Sequence, residues 1–294
     1  GKVDARLIDA AYQQIARSYD AREGGFGGAP KFPRPVTLNF LFHVYHRSAA
    51  DSEVDEAALG MALITLRKMA AGGMHDQLGG GFHRYSVDAL WRVPHFEKML
   101  YDQAQLACSY LDAYQITGDL SYEAIARDTL DYVRRDLTDA GGGFYSAEDA
   151  DSLTSEGGNE KSEGAFYVWT KKQIGTALGE YAELFDYQYG IEEEGNAPEG
   201  SDPQGEFRGK NILYQARDVG VPPEELDRAI ADLMAARAKR VRPHLDDKIL
   251  TSWNALMITA FAKGAQVLGD SRYLDAARAA AEFILDTMWN GETL

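Results

Sequence analysis

The side chains best suited to moving protons crowd the stretch from Gly73 to Gln103, which carries His75, Asp76, His83, Arg84, Trp91, His95, Glu97, Lys98, Tyr101 and Asp102. Three of the six histidines lie there. An imidazole titrates near neutral pH and a neighbouring carboxylate can orient it, so His75 with Asp76 and His95 with Glu97 are candidate acid/base units. His83, Arg84, Trp91, Glu97 and Tyr101 are candidate ligand-binding groups around them. The plainer reading, that such residues satisfy backbone groups left unpaired in a long loop, explains one histidine better than three accompanied by a tryptophan, an arginine and two acids.

A second cluster, Phe144 to Ser152, sets Glu148, Asp149 and Asp151 within four positions, and the run Glu163 to Thr170, with Trp169, follows it. Crowded carboxylates raise one another's pKa, as a general acid needs, so Glu148 and Asp149 join the catalytic candidates. The same pattern describes a calcium loop or a solvated turn. The full EF-hand spacing is missing, and no metal is assigned. In the third cluster, His244 to Asn254, Thr251 or Ser252 would cap the next helix with aspartates near its positive end. Trp253 beside Asn254 pairs an aromatic face with an amide, an arrangement that suits a sugar ring and its hydroxyls. Asp247 and Lys248 are binding candidates there, and Lys31, before the helix near 36–48, holds an equivalent place. Cys108 falls mid-helix without a basic neighbour and reads as an inert thiol. No phosphate loop, dinucleotide fingerprint, nucleophile elbow or zinc spacing occurs, so no cofactor is assigned.

These clusters sit between helices. Apolar residues recur at i, i+3 and i+4 from Phe96 to Tyr114 and from Tyr122 to Leu137, and Gly118-Asp119 between them reads as a stop and a cap, giving a helical hairpin. Further helices are predicted near 4–19, 36–48, 53–70, 172–188, 223–240, 252–268 and 271–289, with Pro222 and Pro223 in the first turn of the 223–240 helix. Gln115 to Tyr122 matches Gln266 to Tyr273 at a constant offset, and 36–69 resembles a diverged copy turning at Ala49 to Ser52. Gly-Gly-Phe recurs ahead of these hairpins. A repeated hairpin must stack, as a solenoid or a ring. The run Val54 to Ala70, apolar around most of its circumference, reads as an inner helix of a ring and favours an all-α, (α/α)6 six-hairpin toroid. Such a ring needs more hairpins than the chain supplies, so it is expected to be incomplete. Alternation at Phe166, Val168 and Thr170 predicts a strand paired with 143–146 as a small inserted β-hairpin. The acidic loop spanning 192–206 reads as solvated and mobile.

The chain has 294 residues, 46 acidic against 30 basic, and a net charge of −16. That balance disfavours nucleic acid and anionic membrane surfaces as partners. The basic stretch Arg237 to Arg242 reads as the cationic end of a helix. One cysteine, no signal-peptide core and no apolar run long enough to span a bilayer point to a cytoplasmic protein.

The block from Gly72 to Ala104 resembles the signature of the YyaL and spermatogenesis-associated protein 20 family. Gly25 to Pro33, Asp149 to Ser152 with Glu163 to Thr170, and Asp246 to Asn254 are similar to its other blocks. The resemblance implies a thioredoxin-like domain followed by a six-hairpin toroid related in fold to N-acylglucosamine 2-epimerase and several glycoside hydrolases. It also implies that residues 1–294 are an internal, partial toroid, with the thioredoxin-like domain and the last hairpins absent. Two functions are expected from these readings. One is a carbohydrate-active enzyme with acid/base chemistry in a central cavity: an epimerase using His75 and His95 as opposed bases, or a hydrolase using Asp76, Glu148 and Asp149. The other is a non-catalytic module that binds a sugar-like ligand or partner and works with the thioredoxin-like domain.

Overall fold

A computed structural model describes residues 5–47, 53–217 and 223–294. Its helices are α1 (Ala5–Arg17), α2 (Pro35–Arg47), α3 (Glu53–Ala71), α4 (Leu100–Thr117), α5 (Leu120–Asp136), α6 (Lys171–Leu178), α7 (Ala182–Tyr189), α8 (Pro223–Arg237), α9 (Thr251–Leu268) and α10 (Ser271–Phe283). Its short strands are β1 (Tyr85–Ser86), β2 (Pro94–His95), β3 (Lys98–Met99), β4 (Ala147–Glu148), β5 (Asp151–Leu153), β6 (Lys161–Glu163) and β7 (Leu245–Asp246). The predicted turn at Ala49 to Ser52 and the residue Pro222 lie outside the described residues.

The repeat is visible as one turn used twice. Gly118, at φ 69°, returns its N–H to the carbonyl of Tyr114, and the extended Asp119 accepts from the Ser121 N–H to start α5. Gly269, at φ 66°, does the same to Ala265, and Asp270 accepts from Arg272 to start α10. Glycine takes this left-handed turn without the Cβ penalty. The first helices of the hairpins, α2, α4 and α9, pack side by side, and α3, α5 and α10 cover them. The fold is therefore of the all-α, hairpin-built toroid class. The helix packed on most sides is α4, not 54–70: it touches α2, α5 and α9 and buries Leu100, Leu106, Tyr110 and Leu111, while α3 leaves Ile64 and Arg67 exposed. Each buried leucine stabilises the fold by about 1.5–3 kcal/mol.

The α4 helix begins at Leu100, later than its apolar spacing predicts. Lys98 and Met99 pair instead with Glu148 and Ala147, which pair in turn with β7, and Phe96 packs on Tyr167 and Phe207. Leu250 stands at the N-cap of α9, with no side-chain cap from Thr251 or Ser252. A small β-hairpin is present, but it joins β5 to β6; Trp169 only bridges Asn211. The predicted 172–188 helix is broken at Gly179, φ 57°. The acidic loop is fastened: Asn196 bonds the backbone of Gly190 and Ile212, and Asp202 accepts from Glu206 and Phe207. The segment α6–α8 has its own core of Ile174, Phe185, Tyr189 and Leu233, closed against Leu78 and Trp169.

Two amides fix the glycine-rich loops to the hairpins. Gln103 in the first turn of α4 accepts from the N–H of Phe82 and donates to its carbonyl, both at 2.7 Å. Asn254 in the first turn of α9 holds Phe144 in the same way, at 2.8 and 2.9 Å.

Candidate functional site

The β1–β2 ladder sets Tyr85 opposite His95, so their rings stack at 5.0 Å, and Phe32 lies on Tyr85 at 4.8 Å. His95 Nδ1 lies 2.6 Å from Glu163 Oε1, delivered by the end of β6, and its Nε2 lies 3.4 Å from Glu97 Oε2. Glu163 Oε1 also accepts from the Phe96 N–H, and Arg84 donates to Glu97 at 2.8 Å. The hydrogen bond to Glu163 pushes the His95 pKa up, against the effect of burial, with both carboxylates adding to the rise. Burial opposes ionisation of Glu163, but the His95 bond and charge hold its carboxyl below the ordinary range. His95 is 25% exposed at its side chain, so the imidazole is still reachable.

This cluster continues along α4 and α9. Tyr101 meets Trp253 edge-on at 4.8 Å, and Arg84 interacts with Tyr101 as well as Glu97. Behind them Asp102 is buried, with Oδ2 lacking a partner. Burial pushes its pKa to about 7, Glu97 adding to the rise and Arg84 opposing it. Of the residues expected from sequence, His95, Glu97, Arg84, Tyr101 and Trp253 come together here. Glu163 and Asp102 complete the group. Asp102 was within the signature stretch; Glu163, far along the chain, carried no local signal that it would meet His95.

Asp76 and Glu148 belong to a separate, buried ionic group. Asp76 receives Lys98 Nζ at 2.9 Å and Arg237 Nη1 at 2.7 Å, besides the N–H groups of Leu78 and Gly79. Burial opposes ionisation of Asp76, but the two cations hold it well below the usual carboxylate range. Glu148 accepts from the Tyr132 hydroxyl and from Arg242, each at 2.7 Å. The Arg237–Arg242 stretch is thus more than a helix end: Arg240 lies 3.8 Å over Trp169, and Arg242 also pairs with Asp136. Asp149, just past the end of β4, is half-buried and accepts from the Asp151 N–H.

The remaining candidates are spread through the fold. His75 Nε2 bonds Asp128 on α5 at 2.6 Å, whereas His95 bonds Glu163, so the two histidines have separate carboxylate partners. His83 is buried against Phe96 and Tyr167, with burial and Lys98 lowering its pKa. Lys31 is buried on Asp20 and the Gly24 carbonyl. Trp91 is wholly buried and donates to the Glu23 carbonyl, and Trp169 is buried under Arg240. Neither indole presents a face to a ligand. Asn254 spends its amide on Phe144. Asp247 and Lys248 are exposed, Lys248 pairing with Asp246. Burial lifts the Cys108 thiol to about 11, in keeping with an inert group. Among the described residues no group of histidine, cysteine and acidic side chains is arranged to hold a metal, and no helix is long and apolar enough to cross a membrane.

No protein-family model matches the chain. In sequence it is 43% identical over 97% of its length to human spermatogenesis-associated protein 20, 42% to the mouse protein, and 41% over 95% to an uncharacterized protein of Caenorhabditis elegans. It spans 39% of the human protein's length and 41% of the nematode protein's. Among solved structures it is similar to the cellobiose 2-epimerase of Spirochaeta thermophila, at 17% identity and TM-score 0.39, covering 98% of this chain and 88% of that one. It is also similar to a GH76 alpha-mannanase of Bacteroides thetaiotaomicron, at 14% identity and TM-score 0.40, covering 95% and 70%.

Proposed function

The chain belongs by sequence to the spermatogenesis-associated protein 20 family, and on that premise we propose that its His95 site performs acid/base chemistry on a polyhydroxylated, sugar-like ligand. The observation that carries the reading is the imidazole set between two carboxylates on a partly open aromatic surface. The Glu163 bond holds the proton on Nδ1 and stabilises the imidazolium, leaving Nε2 to take or give a proton. At 3.4 Å the contact of Nε2 with Glu97 is loose, so a ligand hydroxyl or an acidic C–H can take its place. Tyr101 and Trp253 offer ring faces and edges for sugar C–H groups, and Arg84 with Glu97 offers a donor and an acceptor for hydroxyls.

The test is deuterium exchange. Aldoses and ketoses incubated with the protein in heavy water should take up solvent deuterium at the carbon next to the carbonyl, read by proton NMR, and His95→Ala should abolish the uptake. A His95→Ala protein that exchanges as fast as the parent overturns the reading. The alternative, a binding module working with a thioredoxin-like domain of the full-length protein, is favoured by the saturation of Asp76 and Glu148 in structural bonds. It expects sugar binding with no exchange by the parent protein.

A further inference from the structure

A recess between α5 and α8 shares none of the His95 residues. It has a volume of about 210 Å³ and is lined by Asp76, Lys98, Tyr132, Arg135, Asp136, Glu148, Tyr167, Arg237 and Arg242 among others. That is below the size of a pocket for a drug-sized molecule, about 300 Å³ upward, and suits a small ion or group. Its wall carries four cations, Lys98, Arg135, Arg237 and Arg242, against three carboxylates. A net positive recess stands out in a chain of net charge −16.

The hydrogen bonds show which groups of the recess are engaged and which are free. Every carboxylate oxygen on the wall is already engaged: Asp76 by Arg237 and Lys98, Glu148 by Arg242 and Tyr132, Asp136 by Arg242 and Arg135. The guanidinium groups are not exhausted. Each has five N–H donors, and their bonds within the recess leave some unused. The Tyr167 hydroxyl, buried and facing the charges of Glu148, Asp76, Arg237 and Arg242, has no hydrogen-bond partner. The floor is rigid, since Lys98 is pinned by Asp76, by the Gly80 carbonyl and over the Tyr132 ring at 4.2 Å. The mouth is open to solvent, the side chains of Arg135 and Arg242 being 46% and 49% exposed. A self-sufficient ionic network would balance its charges and close. This one keeps surplus donors, a surplus positive charge and a space.

From this geometry we propose that the recess binds a phosphate group, free or as a monoester, with Arg135 and Arg242 at its entrance and Lys98 and Arg237 beneath it. Guanidinium groups are suited to such an oxyanion because their paired N–H donors match two oxygens at once. Calorimetry with inorganic phosphate, glycerol phosphate and neutral glycerol, at constant ionic strength made up with chloride, tests the proposal. Saturable binding of the phosphates and none of glycerol is the expected result. Tighter binding of the monoester identifies an esterified ligand, and equal affinities identify the free ion. Arg135→Gln removes the surplus charge while Arg242 still pairs with Asp136, and should weaken binding by roughly tenfold, about 1.4 kcal/mol. Tyr167→Phe should weaken it without unfolding the recess, and His95→Ala should leave it unchanged. No saturable phosphate binding, or an affinity unmoved by Arg135→Gln, overturns the proposal, and circular dichroism of the variant separates that result from misfolding.

Discussion

Asp102 offers a perturbation whose size can be worked from its surroundings. Its carboxyl is buried, Oδ2 has no partner, and burial with the nearby Glu97 carries its pKa from the ordinary 3.8 to about 7. Because the folded protein holds this proton more tightly than the unfolded chain does, the group favours folding while protonated. That contribution is complete below the unfolded value and is lost as pH rises through the folded one. Between about pH 5 and about pH 8 the unfolded aspartate is already ionised, and the folded one is being forced to ionise. At about 1.4 kcal/mol per pH unit the loss over this window is about 2.5 kcal/mol. Asp102→Asn has nearly the same shape and no titration. Whatever constant cost its amide brings, the stability difference between variant and parent should grow by about 2.5 kcal/mol in the variant's favour across the window. Urea unfolding followed by circular dichroism at each pH measures it. A difference that stays flat within about 0.5 kcal/mol, or that moves the other way, would refute the assignment of a buried, unpaired carboxyl.

Three further outcomes are expected. Glu163→Gln removes the charge that raises the His95 pKa and leaves only a neutral amide oxygen as acceptor, so the imidazole should titrate at lower pH in NMR; an unmoved midpoint would show that Glu163 does not tune it. Asn254→Ala strips both backbone partners from buried Phe144 and should destabilise by about 2–5 kcal/mol in chemical unfolding. Gly25→Ala forces a Cβ to 2.6 Å from the Trp91 ring at φ +82°, and a loss of about 2–5 kcal/mol should lower its melting temperature.

What could be read from the sequence was what short-range physics decides. The turns at Gly118-Asp119 and Gly269-Asp270 depend on a glycine, a capping aspartate and helical apolar spacing, all within a few residues, and they stand where the spacing put them. The site was only partly legible, because its chemistry depends on long-range meetings. Glu163 reaches His95 across 68 residues, and Arg237 reaches Asp76 across 161. Neither pairing leaves a local trace. Residue type misleads in the same way: Trp91, Trp169 and Trp253 looked alike as stacking surfaces, yet burial removes the first two and leaves the third partly open. Phe96 and Phe166 followed periodicities that sheet pairing and aromatic packing overrode.

The amide clamps differ in one respect, the length of chain that each closes. Gln103 ties off a loop of 21 residues, and Asn254 ties off one of 110 with the same pair of bonds. The entropy of closing a loop rises only with the logarithm of its length, so the longer closure costs about 1.5 kcal/mol more, within reach of one buried hydrogen bond. The hairpin stack therefore tolerates a large excursion of chain at this point with little penalty. The α6–α8 segment fills that excursion with a core of its own, and it is tied back to the stack by Leu78 and by Arg237 on Asp76 while Phe144 stays anchored to the first turn of α9.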